Sequence, residues 1–180
     1  MKYLKQLLII FSQCFLLSTH VFSQDGDHLE QLAKLNFLLG DWKIDVETRL
    51  SAQGPWEKSQ ATSAIRKTLN SSLIEEDFTG QRQGKDFRSK TLFGVNNMNA
   101  RYQRVFADSD HGVLIDFEGV RSKDSIYFDR LWSYPNGSTV KLRVLYLLGT
   151  SDEFVVVNLR MPQQQTEWDI TGRMKYTRIK

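Results

Sequence analysis

The residues best placed to do chemistry are three charged side chains that share strand parity with large apolar ones. Glu76 lies between Ile74 and Phe78, Arg104 between Tyr102 and Phe106, and Arg130 between Phe128 and Trp132. Side chains two apart on a strand point the same way, so a wall that buries the aromatics also draws in the charges. A bare buried charge is too costly to persist, so each must be paired, hydrated or neutralised. Two outcomes stay open: an internal polar network that orients a ligand's carboxylate or hydroxyl groups, or structural ion pairs near a rim. A carboxylate held inward beside a pocket with a raised pKa would instead suit a general base in an isomerase or hydrolase, with Glu76 and Asp129 as the candidates.

Other chemistries have little to build on. Cys14 is the only cysteine, and the histidines are His20, His28 and His111, with no His-x-x-x-His or Glu-x-x-His spacing, so no metal site is expected. Asp108-Ser-Asp110 reads as an Asx-type turn rather than a calcium loop. No serine sits in Gly-x-Ser-x-Gly, which leaves nucleophilic catalysis without a motif. Lys85, Arg88, Lys90 and Arg101 cluster in one stretch, but acidic residues punctuate the rest, and a solvated exterior fits better than a nucleic-acid surface.

The N-terminus explains much of the basic balance. Lys2 and Lys5 precede the apolar run Leu7–Leu17, and Val21-Phe22-Ser23 follows, the pattern of a secretory signal peptide over residues 1–23. The run is interrupted by Ser12-Gln13 and is short for a membrane span, so stable insertion after cleavage is not expected. Losing Lys2 and Lys5 takes the formal charge from +3 to +1, because no acidic residue precedes Asp25. Cys14 leaves with the leader. The exported domain, residues 24–180, must then be held by packing and sheet hydrogen bonds alone, in the periplasm or outside the cell.

The elements that would position the inward charges are strands. From Trp42 to Leu50 the even positions read Trp, Ile, Val, Thr, Leu and the odd ones Lys, Asp, Glu, Arg, a half-buried strand with one wet face. Before it, Asp27 at an N-cap, Glu30 three positions on, and Leu29, Leu32, Ala33 and Leu35 predict a helix over about 27–38 that rests its apolar face on the sheet. After it, alternation recurs at residues 57–67, where Ala61, Ser63 and Ile65 share a parity, and at 73–79, 87–93, 102–106 and 113–120. It continues at 125–134, 139–148, 153–160 and 166–179. Gly94–Asn99 and Pro135-Asn-Gly137 punctuate the series as hairpin turns. Nine or ten short strands with no interior helical pattern favour a closed all-β barrel, since closure satisfies the two edges that a meander of hairpins leaves.

Phe37-Leu-Leu-Gly-Asp-Trp42 after an apolar helix resembles the opening of lipocalin-like, calycin-type barrels, and especially the bacterial family designated DUF1579. Phe93-Gly-Val-Asn96 with Tyr102 resembles that family's Gly-Tyr-Asp turn and following aromatic, with Val95 in place of the tyrosine, and Trp168 and Tyr176-Thr-Arg178 resemble its closing strand. The resemblance implies an up-and-down antiparallel barrel with a helix over one end and a lumen able to hold a small apolar ligand. A related barrel family binds heme through a late-strand histidine; none exists here, so histidine-ligated heme is not expected, tyrosine ligation stays open, and no cofactor is assigned.

The expected function is non-catalytic binding of a small apolar or amphipathic molecule in the lumen. Phe78, Tyr102, Phe106, Phe117, Phe128, Trp132 and Tyr146 would supply the apolar wall, Arg104 and Arg130 would orient an acidic group, and Trp42 would close the barrel's end. A lumen filled by the same aromatics, as in a structural or protein-interaction domain of the envelope, is the competing expectation.

Overall fold

The molecule, a computed structural model, is described over residues 24–180; the expected signal peptide and Cys14 lie outside the described residues. Helix α1 (Gln24–Ala33) and a single 3-10 turn (Asn36–Leu38) lead into ten strands. These are β1 (Gly40–Thr48), β2 (Glu57–Thr68), β3 (Leu73–Arg82), β4 (Lys85–Asn96) and β5 (Arg101–Asp108), followed by β6 (Ile115–Arg121), β7 (Ser125–Ser133), β8 (Thr139–Thr150), β9 (Glu153–Pro162) and β10 (Asp169–Arg178). Each strand pairs antiparallel with its neighbour in sequence, and β10 returns to pair with β1, closing an up-and-down barrel. The closing register sets Trp42 opposite Arg178 and Ile44 opposite Tyr176.

Alternation is obeyed on the first three strands: Trp42, Ile44 and Val46, then Ala61, Ser63 and Ile65, then Ile74 and Glu76 are all buried. The intervening carboxylates face out, where Lys90 reaches both Glu75 and Asp77, so part of the basic cluster is neutralised locally.

The N-terminal helical segment covers one end of the barrel as expected, but it changes pitch partway. α1 already includes Asp27, and after Ala33 the chain tightens into bonds three residues apart, from Leu35 N to Leu32 O (2.9 Å) and from Leu38 N to Leu35 O (2.9 Å). Three residues per turn stacks Leu32, Leu35 and Leu38 on one side, and all three are buried over the barrel end, whereas Leu29 is 51% exposed and Ala33 faces solvent. Tyr102 Oη donates to Gln31 (3.3 Å) and Arg121 donates to the Lys34 carbonyl, tying this segment to β5 and β6. The β4–β5 turn begins later than expected, because Gly94 and Val95 stay in the strand and the reversal is made by residues 97–100, with Ala100 at φ 53°. In the β7–β8 turn only Gly137 takes positive φ (82°), while the Asn136 side chain accepts from Ser138 N at 3.0 Å.

One seam is short. β6 and β7 pair only from Glu118–Asp129 to Arg121–Ile126, leaving Ile115–Phe117 and the stretch 130–133 without cross-strand partners on that side. Arg130 spans the gap, its Nη1 donating to both carboxylate oxygens of Asp116 at 2.7 Å. An exposed ion pair adds little stability, on the order of 1 kcal/mol or less. Amide hydrogen exchange on the seam-facing side of β6 and β7 at this end is therefore expected to run well ahead of exchange in the β1–β10 closure; equal protection of the two seams would contradict the gap.

Candidate functional site

The barrel interior divides along its axis. The half beneath the helical segment is filled: Trp42 meets Phe154 edge-on (centroids 4.8 Å), and Phe93 packs on Phe128 at 6.0 Å. Gly119, paired with Phe128, makes room for that ring, which a Cβ at Gly119 would overlap. The other half holds a cavity of about 340 Å³. That volume is at the small end of the range for ligand sites, and its opening lies at the end opposite the helix, among the β1–β2 and β3–β4 connections.

Tyr146 and Tyr176 form the floor between the two halves. Their rings rest on the filled side, Tyr146 against Phe93 at 5.8 Å and Tyr176 stacked on Phe154 at 4.3 Å, while both residues line the cavity above. The Tyr176 hydroxyl donates to Glu76 Oε1 at 2.9 Å, and Ser63 Oγ donates to the same oxygen at 2.9 Å. Glu76 is 4% exposed and lines the cavity, and its second carboxylate oxygen has no hydrogen-bond partner among the described residues.

Arg104 supplies the opposite charge. It is 7% exposed, lines the same cavity, and forms no ion pair within 4.0 Å among the described residues. Its Nε is buried without a hydrogen-bond partner. The guanidinium carbon sits 4.9 Å from the Phe106 ring centre and 5.1 Å from that of Phe117. Aromatic faces attract a cation but give its N–H groups no acceptor, so they offset only part of the cost of burial. Its polar neighbour is the Tyr146 hydroxyl, itself a neutral phenol, so a buried guanidinium with an orphaned Nε and no counter-charge in contact among the described residues is an arrangement that an anion completes.

Both floor phenols are held neutral. Burial pushes Tyr146 up to about 12, with the Arg104 charge opposing the rise, and burial followed by the Glu76 charge raises Tyr176 well above the ordinary phenol value. A native pKa raised above the unfolded one gives stability that is intact below the unfolded value of 10.0 and is lost as pH climbs through the native value. Stability is therefore expected to decline from about pH 10 toward pH 12, and absorbance titration should show two phenols that ionise only with unfolding. A full complement of phenolates near pH 10 in the folded protein would contradict the buried floor.

Of the side chains expected to meet a ligand, Phe78, Arg104, Phe106, Phe117 and Tyr146 line the cavity. Tyr102 and Phe128 lie in the filled half instead, the first bound to the helical segment and the second packed on Phe93. Arg130 and Trp132 are not part of the lining: β7 has parted from β6 there, which frees Arg130 to reach Asp116 on the outer face. Asp129 also faces out, in a two-point pair with Arg143 (2.6 and 2.7 Å), so Glu76 is the only one of the two base candidates on the cavity wall. Trp42 sits at the closed end, fully buried, with its indole N–H donating to the Leu38 carbonyl at 2.8 Å. Sequence reasoning missed Tyr176 as the partner of Glu76, a contact across 100 positions that depends on which strand closes the barrel. Ser63 carried a signal in its parity with Ala61 and Ile65. His111 lies in an exposed turn with Nδ1 3.0 Å from Asp108. Among the described residues, no three His, Cys, Asp or Glu side chains come together to hold a metal ion, and no helix is long and apolar enough to cross a membrane.

Comparison with known proteins gives the fold wider company. Rv2717c from M. tuberculosis superposes with a TM-score of 0.61 at 13% identity, covering 83% of this chain and 98% of that one. The S-type phycobiliprotein lyase CPES from Guillardia theta superposes with a TM-score of 0.55 at 12% identity, covering 82% and 92%. At such identities the likeness is one of fold. No curated protein matches the chain. The profile of the family described as "Protein of unknown function (DUF1579)" matches residues 28–178, nearly the whole described barrel, and the chain belongs to that family.

Proposed function

We propose that the protein is an exported carrier that holds a small amphipathic acid in the open half of its barrel, apolar body against the aromatic wall and acidic group on Arg104. Export is supported by the leader-like pattern of residues 1–23. The observation that carries the ligand class is the buried Arg104 guanidinium, which faces a cavity without a carboxylate of the protein's own within 4.0 Å among the described residues. Natural proteins seldom bury an arginine unpaired, because desolvation costs several kcal/mol when nothing offsets it. A ligand carboxylate would restore the lost hydrogen bonds in two-point geometry, in a site where water competes weakly.

Titration calorimetry with decanoate and decan-1-ol tests this. The two share an apolar chain and differ at the head group, so the acid is expected to bind at least about tenfold more tightly, the value of one charge-assisted hydrogen bond. Equal affinity for the alcohol would remove Arg104 from the account, and failure of decanoate to bind would remove the amphipathic-acid carrier altogether.

A further inference from the structure

The cavity has a second pole. Glu76 presents one carboxylate oxygen to Ser63 and Tyr176, each at 2.9 Å, while the other oxygen is without a hydrogen-bond partner among the described residues. The residue is 4% exposed and belongs to the cavity wall, so its free oxygen is reached only from the space inside the cavity. Arg104, two strands away, is more than 4.0 Å distant, because the two make no ion pair. A counter-charge serving only to neutralise Arg104 would sit in contact with it. Here the carboxylate is instead fixed by two hydroxyl donors and turned to the same enclosed space from another side.

We infer that the ligand carries a hydrogen-bond donor as well as an acid: a hydroxylated amphipathic acid whose carboxylate meets Arg104 and whose hydroxyl donates to the free oxygen of Glu76. This rests on the carrier proposal above and narrows it. A plain fatty acid would leave Glu76 without a donor and would bring its own negative charge near another, so the site disfavours it relative to the hydroxylated congener. The Tyr176 and Ser63 hydroxyls both hold one oxygen of Glu76 on its own side of the cavity.

The experiment is calorimetric titration of the purified protein, and of Glu76→Gln, with decanoate and with 3-, 6- and 10-hydroxydecanoate. Gln keeps an acceptor for Ser63 and Tyr176 but offers a neutral amide to the cavity. In the unaltered protein at least one hydroxy acid is expected to bind about tenfold more tightly than decanoate, as a hydrogen bond to a charged acceptor implies. In E76Q that preference is expected to collapse to within about twofold while decanoate itself binds more tightly, since a repelling charge is gone. If every hydroxy acid binds no better than decanoate, the inference fails and the carrier proposal stands. If the preference survives in E76Q, the hydroxyl is read elsewhere and Glu76 is not its acceptor. If decanoate and its congeners all fail to bind, both are overturned. Should E76Q not fold, the ratio in the unaltered protein decides alone.

Discussion

Arg104→Met is expected to lower decanoate affinity about a hundredfold while leaving the protein as stable as before or more so, by up to about 2 kcal/mol. The two effects have opposite signs for one reason. Methionine is long enough to fill the channel between Phe106 and Phe117, and its thioether asks for no hydrogen bond, so the desolvation cost now borne by a guanidinium with a partnerless Nε disappears. Part of the gain is returned, because Glu76 shares the cavity and loses a nearby positive charge. Arg104→Lys should fall between: the charge stays, but the planar fork that suits a carboxylate is lost. Equilibrium denaturation and calorimetry on the same preparations separate the two axes. A loss of stability in Arg104→Met comparable to its loss of binding would mean that the guanidinium has structural partners and that the cavity's charge is not kept for a ligand.

What sequence could say about this site was its direction, and what it could not say was its depth. Alternation tells which side chains enter a barrel, and it placed Glu76, Arg104, Phe106 and Phe117 on the inner wall. It is silent on height along the axis. Tyr102 and Arg104 are two residues apart on one strand and both inward, yet the first hydrogen-bonds the helical segment and the second faces the cavity, because one step of two residues crosses the floor made by Tyr146 and Tyr176. The same limit applies to Phe128, which parity groups with Phe117 but which packs in the filled half against Phe93. Lumen and solid core are therefore not alternatives for this barrel, since each describes one half of it.

Parity also assumes that strands stay paired. It put Arg130 inward with Phe128; β7 keeps its register with β8, where Arg130 stands opposite Leu142, but beyond Asp129 no β6 neighbour closes the wall, and the Arg130 side chain passes through the gap to Asp116. No local feature of Arg130-Leu-Trp132 announces the break, since it depends on where the neighbouring strand begins. The helical segment covers the barrel end as alternation and spacing lead one to expect, but its change of pitch was not legible. Leu29, Leu32, Ala33 and Leu35 fit an α-helical stripe, but the three-residue spacing of Leu32, Leu35 and Leu38 fits a 3-10 path equally well, and the chain takes that path into the turn whose Leu38 carbonyl accepts from Trp42.

That last contact predicts the largest loss of stability. Trp42→Ala is expected to cost about 3–5 kcal/mol, enough to unfold much of a marginally stable barrel at ambient temperature. Trp42 is fully buried at the place where three parts of the molecule meet: the carbonyl of Leu38 accepts its N–H at 2.8 Å, Phe154 and Tyr176 pack on its faces and edges at 4.8 and 6.2 Å, and the Arg178 guanidinium lies 4.3 Å over its ring. Arg178 in turn donates to the Leu39 carbonyl at 2.7 Å and to the Ser151 carbonyl, so the indole supports the residue that laces β10 to both the entry of β1 and the β8–β9 turn. Gly40 belongs to the same cluster: with φ at 143°, any side chain there would meet the Arg178 guanidinium. Trp42→Phe keeps most of the apolar surface but strands the Leu38 carbonyl, and should cost less, about 1–3 kcal/mol. The cavity lies beyond the tyrosine floor, so among molecules that remain folded the Trp42→Phe protein is expected to retain decanoate affinity within about threefold, since distant sites couple weakly. Denaturant midpoints and calorimetry on the two variants check both statements. A Trp42→Ala protein as stable as its parent would show that the helical segment closes the barrel without the indole, and a collapse of affinity in Trp42→Phe would show that the filled and hollow halves are one unit.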